Sequence, residues 1–256
     1  MKLSGNKILI TGGSAGIGFA LTEEFLRLGN KLVITGRNPK KLAAAAKKLG
    51  PETDTIQCDA ADPNAVNELG KQIKQNHPDL NILINNAGTF VARDLSEPSE
   101  DLVELTTEID INFSGLVRTT SVLIEQLKKN SGTIINISSG LAYVPFPLGP
   151  VYCATKAAVH SYSLSLRSQL ENKNIEVIEI APPAVKTELT ADLPEDGDFA
   201  MLTTEELVSQ TFAGLKKGQV EIRPGQSKQL HFMSRLAPGF INKQLANAAK
   251  KIKISR

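Results

Sequence analysis

The chain has 256 residues, of which 41% are hydrophobic and 22% are charged, and its formal net charge is +2. This balance is typical of a folded globular protein and excludes a disordered or collagen-like chain. The small net charge gives no basis for a nucleic-acid surface, and two cysteines, Cys58 and Cys153, indicate neither a disulfide framework nor a metal site.

Short apolar runs rich in isoleucine and valine alternate with longer helical patterns along the chain. The predicted strands are residues 7–11, 31–35, 54–58, 81–86, 132–138, 175–181 and 220–223. The longest helical patterns between them cover roughly 99–129 and 151–172. Strands with little polar alternation suit a parallel sheet buried on both faces. We therefore predict an α/β fold, a single Rossmann-type doubly wound domain over 1–256, with a seven-stranded parallel sheet and helices on both faces.

A glycine-rich stretch, TGGSAGIG at 11–18, lies between the first predicted strand and the first helix. Glycines at such a junction let the backbone approach a pyrophosphate, which binds at the positive end of the helix. The spacing differs from G-x-G-x-x-G, and an ordinary glycine-rich turn is the alternative. Because a strand precedes the stretch and a helix follows it, we predict dinucleotide binding. The predicted contacts are Gly12, Ser14, Gly16, Ile17 and Gly18.

The end of the second predicted strand indicates which dinucleotide is bound. An acidic residue there would accept hydrogen bonds from the adenosine ribose of NAD, whereas a basic residue would pair with the extra phosphate of NADP. The chain has Gly36 at that position, followed by Arg37, and a guanidinium can hold a phosphate through two parallel hydrogen bonds. A surface arginine that faces water is the alternative. We predict NADP(H) in preference to NAD(H).

Three motifs occur in order along the chain: TGGSAGIG, NNAG at Asn85–Gly88 and YCATK at Tyr152–Lys156. With them the chain resembles a short-chain dehydrogenase/reductase of the compact, single-domain branch, from Lys7 to about Arg223. The resemblance implies hydride transfer between NADP(H) and a carbonyl or secondary alcohol, and a homodimer or homotetramer. The alternative function is a non-catalytic dinucleotide-binding protein, a redox sensor or scaffold, which would be expected to lose its proton-relay residues.

Two of the relay residues, Tyr152 and Lys156, are four apart on a predicted helix and share one face. An ammonium beside a phenol favours the phenolate, so we expect the pKa of Tyr152 to move down toward neutral pH. The resemblance gives Lys156 a second role at the nicotinamide ribose. It also assigns Ser139 to the substrate oxygen and Asn112 to a water bound by the lysine. An asparagine that only packs is the alternative for Asn112.

The resemblance implies further cofactor contacts by position. They are Asp59 and Ala60 at the adenine, Asn86 near its ribose, Gly88, and Val185 and Thr187 at the nicotinamide carboxamide. Asn85 is expected to brace the sheet instead. The family usually has Pro-Gly after the sixth strand, whereas this chain has Pro182 and Pro183. The second proline removes a backbone donor and fixes φ, which leaves the path of this loop open.

The substrate side of the site is weakly encoded. Five apolar residues precede Tyr152 and either line a pocket or pack between sheet and helix: Leu141, Tyr143, Val144, Phe146 and Leu148. Residues 187–202 lie where a substrate lid is expected. No metal is predicted, because the three histidines are scattered. Cys153 is expected to be a packing residue.

The C-terminal extension, 224–256, is longer than the fold requires and resembles the tail of a bacterial subgroup of this family, the DltE-like proteins. Its end, 240–256, has the pattern of a basic amphipathic helix. A solvated terminal helix is the favoured interpretation, ahead of contact with a partner subunit or an anionic membrane surface. A cytoplasmic location is predicted, because the N-terminus has no cleavage pattern and no apolar run approaches the roughly 18 to 20 residues that span a bilayer.

Overall fold

A computed structural model of the chain describes residues 1–96, 101–191 and 201–252. Its strands are β1 (Lys7–Thr11), β2 (Lys31–Gly36), β3 (Thr53–Gln57), β4 (Ile82–Asn85), β5 (Thr133–Ile137), β6 (Glu176–Ile180) and β7 (Glu221–Ile222). These seven strands form one parallel sheet in the order β3-β2-β1-β4-β5-β6-β7. The predicted doubly wound, Rossmann-type α/β fold is therefore confirmed.

Helices follow the strands along the chain and cover both faces of the sheet. They are α1 (Gly16–Arg27), α2 (Pro39–Leu49), α3 (Pro63–Asn76), α4 (Leu102–Ile109), α5 (Gly115–Lys129), α6 (Pro150–Leu170), α7 (Thr204–Lys216), α8 (Ser227–Leu236) and α9 (Pro238–Ala249). The helical region predicted at roughly 99–129 is helical from Leu102 to Lys129. A π-helical turn at Asp110–Ser114 separates α4 from α5, and such a turn leaves the helical pattern of the sequence nearly unchanged.

The two faces of the sheet bury separate apolar layers, as strand geometry requires. On β1, Ile8 and Ile10 face the layer that contains Phe25 of α1 and Phe212 of α7. Leu9 faces the opposite layer, which α3, α5 and α6 cover. All three β1 side chains are fully buried, and each such burial stabilises the fold by about 1.5 to 3 kcal/mol. Because apolar layers cover both faces of the sheet, a ligand site is expected at the ends of the strands.

Those ends form a crevice where the chain reverses direction across the sheet. The order runs outward from β1 to β3 on one side and from β4 to β7 on the other. In open α/β sheets, ligands bind beyond the carboxyl ends of the strands at this switch point. The loops that follow β1, β4, β5 and β6 converge there.

The C-terminal extension folds back onto this end of the sheet. Ile241, Leu245 and Ala249 of α9 are buried against Val144 and Phe146. The favoured interpretation of a solvated terminal helix is therefore wrong. The helix also ends at Ala249, before most of the basic residues that made it look amphipathic. Across the parts of the chain that the structure covers, no helix is both long and apolar enough to cross a bilayer.

Candidate active site

A cavity of about 690 Å³ lies at the switch point, within the size range of small-molecule sites. Most of the predicted site residues line it: Gly12, Gly16, Ile17, Gly18, Asn86, Gly88, Ser139, Tyr152, Lys156, Val185 and Thr187. Five predicted residues lie outside this lining: Ser14, Arg37, Asp59, Ala60 and Asn112. The structure thus brings together the glycine loop, the NNAG segment and the YCATK helix.

The glycine loop turns tightly between β1 and α1. Gly12 has φ of +67°, a conformation that side chains rarely adopt, and a Cβ on Gly18 would lie 2.4 Å from the carbonyl oxygen of Gly12. No side chain caps α1, because Ala15 precedes it. The first N–H groups of a helix have no intrahelical partner, and here they border the cavity. These free donors at a positive helix end fit the pyrophosphate of a dinucleotide.

Among the residues predicted to hold the adenosine half, Arg37 follows β2, Asp59 and Ala60 follow β3, and Asn86 follows β4. Arg37 is exposed directly after β2. A Cβ on Gly36 would lie 3.3 Å from Ser14 Oγ, so a side chain at this position would press on the glycine loop. Asp59 accepts a hydrogen bond from the Ala61 N–H at 3.0 Å, which holds its carboxylate beside the turn that follows β3.

The two asparagines of NNAG have separate structural roles. Asn85 donates to Thr120 Oγ1 and to Asn136 Oδ1 at 3.0 and 2.9 Å, so it braces the sheet as expected. Asn86 donates to the carbonyls of Thr11 and Gly12 at 2.9 and 3.1 Å. Asn86 therefore ties the end of β4 to the glycine loop and fixes the floor of the cavity.

Tyr152 faces the cavity from the first turns of α6. Its ring packs edge-on against Phe90, with centroids 5.3 Å apart. Ser139 Oγ accepts a hydrogen bond from the Leu141 N–H at 3.1 Å. Burial raises the pKa of Tyr152 to about 12, although a hydrogen bond with Ser139 opposes part of this rise. The expected downward shift is therefore wrong for the cofactor-free chain, because loss of hydration outweighs the stabilisation of the phenolate.

Lys156 is buried one helical turn further along α6. Its Nζ donates to the Ile137 carbonyl at 2.9 Å and lies 5.6 Å from the centroid of the Tyr152 ring. Burial lowers the pKa of Lys156 to about 8. The lysine is thus close enough to influence Tyr152 but is itself short of the hydration that stabilises a full charge.

Asn112 lies in the π-helical turn, behind the lining of the cavity. Its Nδ2 donates to the Thr89 carbonyl at 2.9 Å and to Thr155 Oγ1 at 3.1 Å. Its Oδ1 accepts from the Thr89 N–H at 2.8 Å. These bonds join the segment after NNAG to α6. Its assignment to a lysine-bound water stays a prediction.

The double proline does not divert the loop after β6 from the cavity. The Pro182 carbonyl accepts from the Gly140 N–H at 2.7 Å, which ties this loop to the one after β5. Val185 forms a bridge with Leu202, and Thr187 lies over the start of α1. Of the predicted lid, 187–202, residues 192–200 lie outside the described residues.

The sequence left open whether the apolar loop before Tyr152 lines a pocket or packs between sheet and helix. Its residues do both. Leu141 and Phe146 line the cavity. Tyr143, Val144 and Leu148 do not line it and belong to the adjacent apolar cluster. Cys153, as expected, is buried in that cluster and receives a hydrogen bond from the Phe146 N–H at 3.2 Å.

A buried polar chain beneath Ser139 was missed by the sequence analysis. Ser138 donates to Glu179, which is 1% exposed, and His160 Nδ1 lies 2.7 Å from the second oxygen of that carboxylate. Hydrogen bonds to a buried carboxylate hold their partners firmly. These contacts among Ser138, Glu179 and His160 fix the end of β5, and Ser139 follows there.

The sequence analysis also missed the wall that α8 and α9 contribute. Its lining residues include Leu230, Phe232, Met233, Phe240, Ile241 and Leu245. The helical spacing of Leu230 with Met233, and of Ile241 with Leu245, was a usable signal for a buried face. This spacing indicates that the extension packs against other residues, but it does not identify those residues.

A family model described as short chain dehydrogenase matches residues 6–198. The chain belongs to the short-chain dehydrogenase family. It is therefore a dinucleotide-binding oxidoreductase, in agreement with the motifs that line the cavity.

Several curated relatives of this short-chain dehydrogenase match most of its length. An uncharacterized oxidoreductase DltE of Bacillus subtilis is 41% identical over 225 residues, 87% of this chain and 89% of the relative. A serine 3-dehydrogenase of Agrobacterium fabrum is 36% identical over 72% and 73% of the two chains. An NADP-dependent 3-hydroxy acid dehydrogenase, YdfG, of Salmonella typhi is 34% identical over 70% and 72%.

Solved structures of other short-chain dehydrogenases share the fold. One from Burkholderia cenocepacia, in complex with NADP, has a TM-score of 0.84 and 24% identity, and covers 96% of this chain and 99% of that one. Another from Burkholderia phymatum, in complex with NAD, has a TM-score of 0.82 and 20% identity, with coverage of 95% and 96%. At these identities the likeness establishes the fold alone.

Proposed function

We propose that this oxidoreductase interconverts a carbonyl compound and an alcohol with NADP(H), and that Tyr152 exchanges the proton. The observation that carries the proposal is the meeting of Tyr152, Ser139 and Lys156 in the cavity that the glycine loop borders. A phenol, a second hydroxyl and an ammonium form a complete set of groups for proton transfer beside a dinucleotide.

Each of these residues has a role that follows from its contacts. A nicotinamide bound in the cavity would supply or accept the hydride. Tyr152 is protonated at neutral pH, since its pKa is about 12, and donates that proton to the carbonyl oxygen during reduction. Ser139 donates a hydrogen bond to the same oxygen and stabilises its developing charge. Lys156 would hold the nicotinamide ribose and, as an ammonium beside Tyr152, would lower the free energy of the phenolate.

The preference for NADP(H) rests on the end of β2. Arg37 is exposed and forms no ion pair among the residues for which the structure gives contacts. Gly36 contributes no carboxylate that would repel a phosphate. A free guanidinium at this position suits the adenosine phosphate of NADP.

Arg37→Ala is expected to weaken NADPH binding by about 10- to 100-fold, because a charge-assisted hydrogen bond contributes about 1.5 to 3 kcal/mol. NADH binding should change little. The chain has no tryptophan, so the emission of the reduced nicotinamide reports both titrations cleanly. The matched control is Arg27→Ala, an exposed arginine at the opposite end of α1. Tighter binding of NADH than of NADPH to the parent protein would overturn the cofactor preference.

The second candidate function is a redox sensor or scaffold that binds the dinucleotide without turnover. The retention of Tyr152, Ser139 and Lys156 favours the enzyme. The names of two relatives contain serine and 3-hydroxy acid, so hydroxy acids and the matching oxo acids are the first substrates to compare with neutral carbonyl compounds.

A further inference from the structure

Part of the cavity lining is an apolar chamber that belongs to the same apolar cluster as Tyr152, and it is defined by Phe90, Phe146, Leu230, Met233, Ile241 and Leu245. Two further phenylalanines, Phe232 and Phe240, border it and remain 61% and 63% exposed. Large aromatic side chains with that exposure leave unpartnered apolar surface at the opening of a cavity. A ligand with an apolar substituent would cover this surface, and the residues that create it come from the C-terminal extension.

The chamber offers almost no charge. Among the described residues that line the cavity, the basic and acidic side chains are Lys156 and Glu188. Lys156 donates to the Ile137 carbonyl beside Tyr152, and the proposed function assigns its remaining donors to the nicotinamide ribose. Glu188 is paired with Lys41 at 2.6 Å. The basic residues of α8 and α9, which are Lys228, Arg235 and Lys243, do not line the cavity.

The amide side chains that the C-terminal extension brings to the cavity are neutral. Gln226 lines the cavity from the turn before α8, Gln229 from α8 and Gln244 from α9. Amides can bind a hydroxyl, ester or amide group but do not compensate a buried carboxylate, whose desolvation is costly without a cation.

We infer that the substrate is an uncharged ketone, aldehyde or corresponding alcohol whose apolar substituent packs on α8 and α9, and that hydroxy acids and oxo acids are excluded by the lack of a counter-charge. This inference rests on the proposed function. In the reductive direction the carbonyl carbon gains a hydride from NADPH and its oxygen gains the proton of Tyr152. The products are an alcohol and NADP⁺, and solvent returns a proton to Tyr152.

The test compares methyl 3-oxo esters with the matching 3-oxo acids, in a series from about four to about eight carbons, by kcat/KM with NADPH. For the esters, kcat/KM should rise about fourfold per added methylene, as expected for a buried CH₂. Each ester should exceed its acid by at least about 30-fold, because the carboxylate would be buried unpaired. Equal or better turnover of the acids would overturn the substrate class.

Variants at the chamber opening distinguish a loss of contact with the substrate from a loss of the fold. Phe232→Ala and Phe240→Ala change exposed side chains, so the fold should persist. Each should lower kcat/KM for the longest ester at least about fivefold and for the shortest less than about twofold. Leu236→Ala is the control, since Leu236 lies on α8 with 68% exposure but outside the lining. An unchanged dependence on chain length in both phenylalanine variants would overturn the assignment of the chamber.

Failure of the inference and failure of the proposed function give different results. Turnover of oxo acids alone would contradict the substrate class and leave the proposed function intact. NADPH binding, measured by its emission, with no oxidation by any ester or acid would contradict the proposed function and the inference together.

Discussion

Tyr152→Phe is expected to lower kcat for carbonyl reduction by about 10³-fold and to leave the affinity for NADPH unchanged. Phenylalanine keeps the edge-on contact with Phe90 but lacks the hydroxyl that transfers the proton, and loss of a general acid costs about 10²- to 10⁴-fold. Stopped-flow single-turnover kinetics with saturating NADPH would measure the step itself.

The matched control is Tyr162→Phe, on the same helix but outside the cavity lining. It should retain nearly full turnover, since it removes a partly buried phenol that does not line the cavity. Near-parental turnover in Tyr152→Phe would show that another group supplies the proton. Loss of NADPH binding in that variant would instead indicate a role in binding.

Lys156 should make the stability of the cofactor-free protein depend on pH in a distinctive way. Burial lowers the pKa of Lys156 from 10.5 to about 8, so between these values the unfolded chain binds the proton and the folded chain does not. Stability therefore rises with pH across this window, and the cost of burying the charge is fully present below it. Lowering a pKa by one corresponds to about 1.4 kcal/mol. Burying the charged form of Lys156 therefore costs about 3 kcal/mol at low pH.

Urea denaturation of the parent protein and of Lys156→Met would isolate this effect. Relative to the variant, the parent should gain about 2 kcal/mol in its free energy of unfolding between about pH 7.5 and pH 10. The difference removes the groups common to both proteins, including Cys58, whose pKa burial raises to about 11. Parallel curves for the two proteins would mean that Lys156 has an ordinary pKa in the folded chain.

The sheet and the glycine loop could be predicted because local sequence determines them. Most strands, including β1, β2, β4 and β5, are apolar runs of nearly the observed length, and the glycines of TGGSAGIG mark the tight turn between β1 and α1. The spacing of Tyr152 and Lys156 likewise needs only a helix to bring the two side chains together.

The features that could not be predicted depend on distant contacts. The partners of Ile241 and Leu245 are Val144 and Phe146, about a hundred positions earlier in the chain, so periodicity alone could not tell a packed helix from a solvated one. The pKa of Tyr152 was predicted in the wrong direction, since burial is set by Phe90 and other residues far from it in sequence. The Glu179 contacts with Ser138 and His160 also join separate elements.

Transfer of an isotopic label tests the central claim, hydride transfer to a carbonyl, most directly. The protein would be incubated with NADPH that carries deuterium at the transferable position and with a neutral 3-oxo ester, and the alcohol analysed by mass spectrometry. We predict one deuterium on the carbinol carbon and one NADPH oxidised per alcohol formed. NADPH that binds but stays reduced, or an alcohol that carries no deuterium, would contradict the account.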